Sequence, residues 1–92
     1  MLTAARAVQG FIRGKVAADL GNDLLLRSGL ERQIEIIGEA ASGVSGATRD
    51  KHPEVAWRAI IAQRHRLAHD YGSIRLDLLW EVASVHVPTL IE

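Results

Sequence analysis

Apolar residues recur along this chain at spacings of three and four with polar residues between them, the pattern of helices that each bury one face. Ala4, Ala7, Val8, Phe11 and Ile12 predict a first helix from about Thr3 to Arg13. Gly14 and the segment to Gly21-Asn22 read as a link with room for one short helical turn. Leu26, Leu30, Ile34, Ile37, Ala41 and Val44 form the stripe of a long second helix from Asp23 to Val44. Asn22 stands where an N-cap belongs, and Gly38 offers a place for another helix to pack closely. Gly43, Gly46 and Thr48 weaken the pattern, and Pro53 suits the first turn of a third helix because its missing N–H costs nothing there. Gly72 and Ser73 predict an end soon after Tyr71, and a fourth helix begins between Ser73 and Asp77. Pro88 ends or kinks that helix, since proline removes a hydrogen bond and crowds the preceding turn. Nothing in the pattern calls for a sheet. The expected fold is all-α, one domain over residues 1–92 built as an antiparallel four-helix bundle.

One residue breaks the pattern. On the third helix Trp57, Ile60, Ile61, Leu67, Ala68 and Tyr71 share a face, and Arg64 falls in its middle. Arg64 is therefore predicted to be partly buried, and a desolvated, unpaired guanidinium would cost about 3–5 kcal/mol. Its partner is either a protein carboxylate, for which Glu39 is a candidate, or a phosphate. The segment from Arg64 to Tyr71, Arg-His-Arg-Leu-Ala-His-Asp-Tyr, crowds guanidinium, imidazole and phenol groups at the end of the helix. His65 and His69 lie one turn apart on the flank of the stripe, with Arg58 and Ala62. Arg64 and His69, five residues apart, differ by about 140° around the axis and do not converge in one straight helix. Either the helix unwinds near His69 or a second copy of the chain supplies the other half of a shared site.

Charge and composition narrow the chemistry. Eleven basic and eleven acidic residues balance to zero, which argues against a broad basic grip on nucleic acid. Arg58, Arg64, Arg66 and Arg75 against Asp70 nevertheless make the motif region locally basic, while Glu31, Glu35 and Glu39 form an acidic strip with Arg27 and Arg32 as loose partners. A focused phosphate site fits this distribution. His65-x3-His69 has the two-histidine spacing of a zinc helix, but Arg66 stands where zinc proteases carry glutamate, and its charge opposes a cation. Neither His52, expected to cap or precede a helix, nor His86, expected near the surface of the last one, is placed as a third ligand. No metal and no cofactor are expected. Trp57 and Trp80 read as core or subunit-interface residues.

A chain of 92 residues buries only about 60–65% of its unfolded surface, and much of its apolar content is alanine, so a homodimer is a natural expectation. The absence of cysteine excludes disulfides and cysteine nucleophiles and agrees with a reducing cytoplasm. No apolar run approaches a membrane span, and Met1-Leu2-Thr3-Ala4-Ala5-Arg6 does not begin a secretory signal.

Arg-x4-His-x-Tyr, here Arg64, His69 and Tyr71, resembles the signature of the HEPN superfamily, in particular the HepT-like toxin branch encoded beside small nucleotidyltransferase antitoxins of the MntA type. Glu31-Arg32-Gln33-Ile34-Glu35-Ile36-Ile37-Gly38-Glu39-Ala40-Ala41 is similar to that branch's second-helix block, His52-Pro53-Glu54-Val55-Ala56-Trp57-Arg58 to its helix-start block, and Leu76-Asp77-Leu78-Leu79-Trp80-Glu81 to the opening of its last helix. The resemblance covers about residues 24 to 92 well and the first helix loosely. Many members carry asparagine directly after the arginine, where this chain has His65.

The resemblance implies metal-independent cleavage of RNA. His69 would take the proton from a ribose 2′-OH, Arg64 would hold the non-bridging phosphate oxygens, and His65 and Arg66 would support them. In a symmetric dimer the second His69 would protonate the leaving 5′-oxygen. Tyr71 would be the residue to which the antitoxin transfers AMP, placing an obstructing anion two residues from His69. An ordinary core tyrosine is the plainer reading of Tyr71 by position alone. Two readings of other classes stand beside the ribonuclease: a non-catalytic helical subunit that presents nucleotides or substrates to a nucleotidyltransferase, and a dimeric interaction module without chemistry.

Overall fold

The computed structural model describes the backbone of residues 1–69 and 76–91 and the side chains of residues 1–65 and 76–91. Asp70, Tyr71, Gly72, Ser73 and Arg75 lie outside the described residues, as do the side chains of Arg66 and His69.

Among the described residues six α-helices follow in order: α1 (Leu2–Ile12), α2 (Asp19–Asn22), α3 (Leu24–Ser42), α4 (Gly46–Lys51), α5 (Trp57–His69) and α6 (Leu76–Glu81). A π-helical turn, Val82–His86, and a 3-10 turn, Val87–Leu90, continue α6. The fold is all-helical, with no strand among the described residues. Four long segments carry the bundle: α1, α3, α5, and α6 with its two continuing turns. Phe11 near the end of α1 lies over Gly29 near the start of α3, while Met1 shares a pocket with Val44, so these two helices run antiparallel. Ile60 and Arg64 meet Gly38 while Trp57 lies beside Val44, which makes α5 antiparallel to α3. Leu90 returns to Val55 and Met1, completing the up-and-down arrangement.

The core is close to the predicted stripes. Leu26, Leu30, Ile34, Ile37 and Ala41 are buried on α3, with Val44 half-buried. Ala4, Ala5 and Val8 are buried on α1, whereas Phe11 stays exposed over Gly29. Leu79, Val82, Ala83 and Val87 close the bundle from the C-terminal segment, with Trp57 and Trp80 partly buried against the core. Pro88 acts as expected. The α-helix gives way at Val82 to the wider turn and then to the 3-10 turn, with proline in its first positions.

Three local expectations are corrected. The N-cap of α3 is Asp23, not Asn22: its Oδ1 accepts from Leu26 N–H at 3.0 Å, while the Asn22 amide donates back to Ala18 O. An unpredicted helix, α4, begins at Ser45, whose Oγ accepts from Thr48 N–H at 3.1 Å. The third long helix starts at Trp57, four residues after Pro53. His52, directly before the proline, is driven to φ −129° at the end of α4, and the following turn inserts Val55 into the core before a helix can begin.

Candidate functional site

Arg64 sits where α3 and α5 cross most closely. A Cβ placed on Gly38 would lie 2.2 Å from Arg64 Cβ and 2.7 Å from its Cγ, so only glycine admits the arginine stem at this crossing. Arg64 is half-buried, as its place on the apolar stripe predicts. Its Nε is sealed from solvent and has no hydrogen-bond partner among the described residues. Glu39 does not serve as that partner: it is exposed, and no ion pair joins the two. A half-buried guanidinium whose Nε has no partner among the described residues is able to bind an anion.

The inward face of α5 is turned slightly from its predicted centre. Ile60 and Gln63 are fully buried, while Ile61 is half-buried. Gln63 is thus a buried polar residue that the apolar periodicity overlooks, because helical spacing alone cannot say which side of Arg64 faces inward.

Along the other side of α5 runs a shallow groove of about 760 Å³, lined by Arg49, Trp57, Arg58, Ile61, Ala62 and His65. Its lining combines cationic, aromatic and small apolar side chains and includes no carboxylate among the described residues. Arg58 and His65 are exposed in it, as their predicted flank position requires. Ala62 lines the groove between them, on the same side of α5. Trp57 is fixed by donating its indole N–H to His52 O at 3.1 Å. Arg49 is a member of this groove that sequence reasoning missed. It lies on the unpredicted α4 and donates from Nη2 to Ala41 O at 2.8 Å and Ser42 O at 3.4 Å, at the C-terminal end of α3. Sequence spacing carries no signal for that juxtaposition.

α5 remains α-helical through His69. The backbone of His69 is therefore about 140° around the axis from Arg64, and in register with Arg58, Ala62 and His65. The described helix does not bring Arg64 and His69 to one face. The arrangement of Tyr71 and of the Arg66 and His69 side chains lies outside the described residues.

The remaining histidines have structural places. The His52 backbone ends α4, and its Nδ1 lies 3.3 Å from Glu54 Oε1. The half-buried His86 has Nε2 3.7 Å from Glu81 Oε1. On α3, the pairs Arg27–Glu31 at 3.7 Å and Arg32–Glu35 at 3.6 Å are the loose partners expected of the acidic strip. Desolvation, opposed by Arg27, raises the Glu31 carboxyl above the ordinary carboxylate value. No helix among the described residues is long and apolar enough to cross a membrane.

A family model described as Ribonuclease HepT-like matches residues 1–92. A candidate RNase of Caldanaerobacter subterraneus is 32% identical over 79 residues, covering 86% of this chain and 70% of the relative. A candidate RNase of Methanocaldococcus jannaschii is 35% identical over 69 residues, covering 75% of this chain and 63% of that one. A probable ribonuclease HepT of Thermococcus cleftensis is 29% identical over 87 residues, covering 95% and 79%. No solved structure gives a significant match.

Proposed function

Because the chain belongs to the HepT-like ribonuclease family, we propose that it is a metal-independent endoribonuclease, the toxin of a pair whose antitoxin is an MntA-like nucleotidyltransferase. The observation that carries the reading is Arg64, half-buried over Gly38 with its Nε unpaired among the described residues. A planar, permanently charged fork held by a helix crossing needs no reorganisation to receive a phosphate, and so can stabilise the charge that builds on non-bridging oxygens.

In the proposed reaction His69 removes the proton from a ribose 2′-OH and the 2′-oxygen attacks the adjacent phosphorus. The bond to the 5′-oxygen breaks, and that oxygen takes a proton from an acid. The products are a 2′,3′-cyclic phosphate and a free 5′-OH. The angular separation of Arg64 and His69 in the continuous α5 supports a site shared between two copies of the chain, each arginine working with the other copy's histidine. Inactivation proceeds by attack of the Tyr71 phenol on the α-phosphorus of ATP, with release of pyrophosphate and the phenolic proton. The resulting AMP group brings a negative charge beside the phosphate site.

The test is cleavage of RNA by purified protein in excess EDTA, with Tyr71 shown unmodified by intact mass, beside His69→Ala. Cleavage by the parent that vanishes in the variant is the expected result. No cleavage of several RNA classes by the folded, unmodified chain would favour a non-catalytic subunit of the nucleotidyltransferase, and loss of activity only with EDTA would show a metal enzyme.

A further inference from the structure

We infer that the groove along α5 is a binding track for single-stranded RNA, in which a base stacks on Trp57 and the backbone follows Arg58 and His65 toward His69. The inference rests on the ribonuclease reading for its destination but on different residues for its content. Three cationic or titratable side chains, Arg49, Arg58 and His65, line the groove, and no carboxylate does among the described residues, although the whole chain is electrically neutral. That concentration selects a polyanion over a neutral or basic partner. Trp57 adds what phosphate binding alone does not need, an aromatic surface held in place by its own hydrogen bond to His52 O. Rows of cations with an interleaved aromatic are how proteins hold single strands without reading their sequence.

Register decides the direction. Arg58, Ala62, His65 and His69 succeed one another along one line of a helix that is continuous from Trp57 to His69. From Arg58 to His69 is about 17 Å along the axis, a reach of a few nucleotides. Arg49 contributes a fixed charge, because its guanidinium is tied to the end of α3. Arg58 is exposed and pairs with no described carboxylate, so it is the side chain free to meet a phosphate. RNA lying here would be held away from the scissile bond, lowering KM without entering the chemistry.

The experiment uses full-length protein carrying His69→Ala, so that RNA is bound and not cut, and a labelled 12-nucleotide single-stranded RNA followed by fluorescence anisotropy across a salt series. Arg58→Ala is expected to weaken binding about five- to tenfold and to reduce the slope of log affinity against log salt by about 0.7, the release of one counterion from a single strand. Arg58→Lys should restore most of the slope. With Trp80→Phe, the remaining indole of Trp57 should be quenched by RNA. In the cleaving chain, Arg58→Ala should raise KM and leave kcat unchanged. Unaltered affinity, slope and KM in Arg58→Ala, with Trp57 unquenched, would overturn the track while leaving the ribonuclease reading intact. Arg58-dependent binding by a chain that never cleaves would support the track and overturn the ribonuclease reading. If Arg58→Ala instead changes the oligomeric state in sedimentation and not RNA affinity, the groove is a contact between copies of the chain and the track is wrong.

Discussion

Gly10 and Gly38 are both helical glycines, and the same substitution should move stability in opposite directions at the two. A Cβ on Gly10 meets nothing within 4 Å, so Gly10→Ala gains helix propensity and should raise stability by up to about 1 kcal/mol. At Gly38 the methyl would fall on the Cβ of Arg64, the stiff root of the side chain, and only separation of α3 and α5 relieves it. Gly38→Ala should lower stability by about 1–3 kcal/mol in a urea titration, despite its propensity gain, and should lower RNA cleavage at temperatures where the variant is still folded. Unchanged cleavage in a destabilised Gly38→Ala would separate the crossing from the site. Arg64 itself was legible from its angular position on an apolar face. That Gly38 is what accommodates it was not, since only the approach of α3 shows which glycine of the long helix it meets.

At the scale of the helices, the caps are the part most open to measurement. Asp23→Ala should cost about 1 kcal/mol of unfolding free energy, whereas Asn22→Ala should change it by only a few tenths. Arg49 joins α4 to the C-terminal carbonyls of α3, so Arg49→Met, which keeps much of the stem, should loosen that end and cost about 1–2 kcal/mol. Glu31 gives the acidic strip a pH dependence. Its folded value lies above the unfolded one, so the folded state favours the protonated form. The relative stabilisation is fully present below the unfolded value and is lost as pH rises through the folded one. Glu31→Gln should therefore raise the thermal midpoint at neutral pH relative to the parent and narrow the parent's gain on moving toward pH 4. The long helices were readable because every buried residue on them repeats with one period. α4 and the late start of α5 were not, because they depend on a capping serine, a proline and one valine inserted into the core.

For the whole molecule, the proposed site shared between two copies makes a prediction that no single chain can satisfy. Arg64→Ala and His69→Ala chains, each inactive alone, should recover cleavage when unfolded together and refolded into mixed dimers. The recovery should reach no more than roughly a quarter of the parent, because half the dimers are mixed and each holds one intact pair. No recovery, with mixed dimers demonstrated by mass, would place both residues in one chain and require α5 to depart from its helical course between Arg64 and His69 when RNA is bound.

Several properties follow from the chain's own order of residues: helical character, the α3 stripe, the half-burial of Arg64, and the shared line of Arg58, Ala62, His65 and His69 along α5. Each depends on local periodicity, which a helix converts directly into direction. The Arg-x4-His-x-Tyr motif likewise pointed to the family before any packing was known. Tertiary structure alone decided that Gln63 turns inward, that Gly38 receives Arg64, and that Arg49 reaches across from α4 to complete a cationic groove. Those outcomes depend on how far apart two helices settle, and that distance is set by all the side chains between them at once.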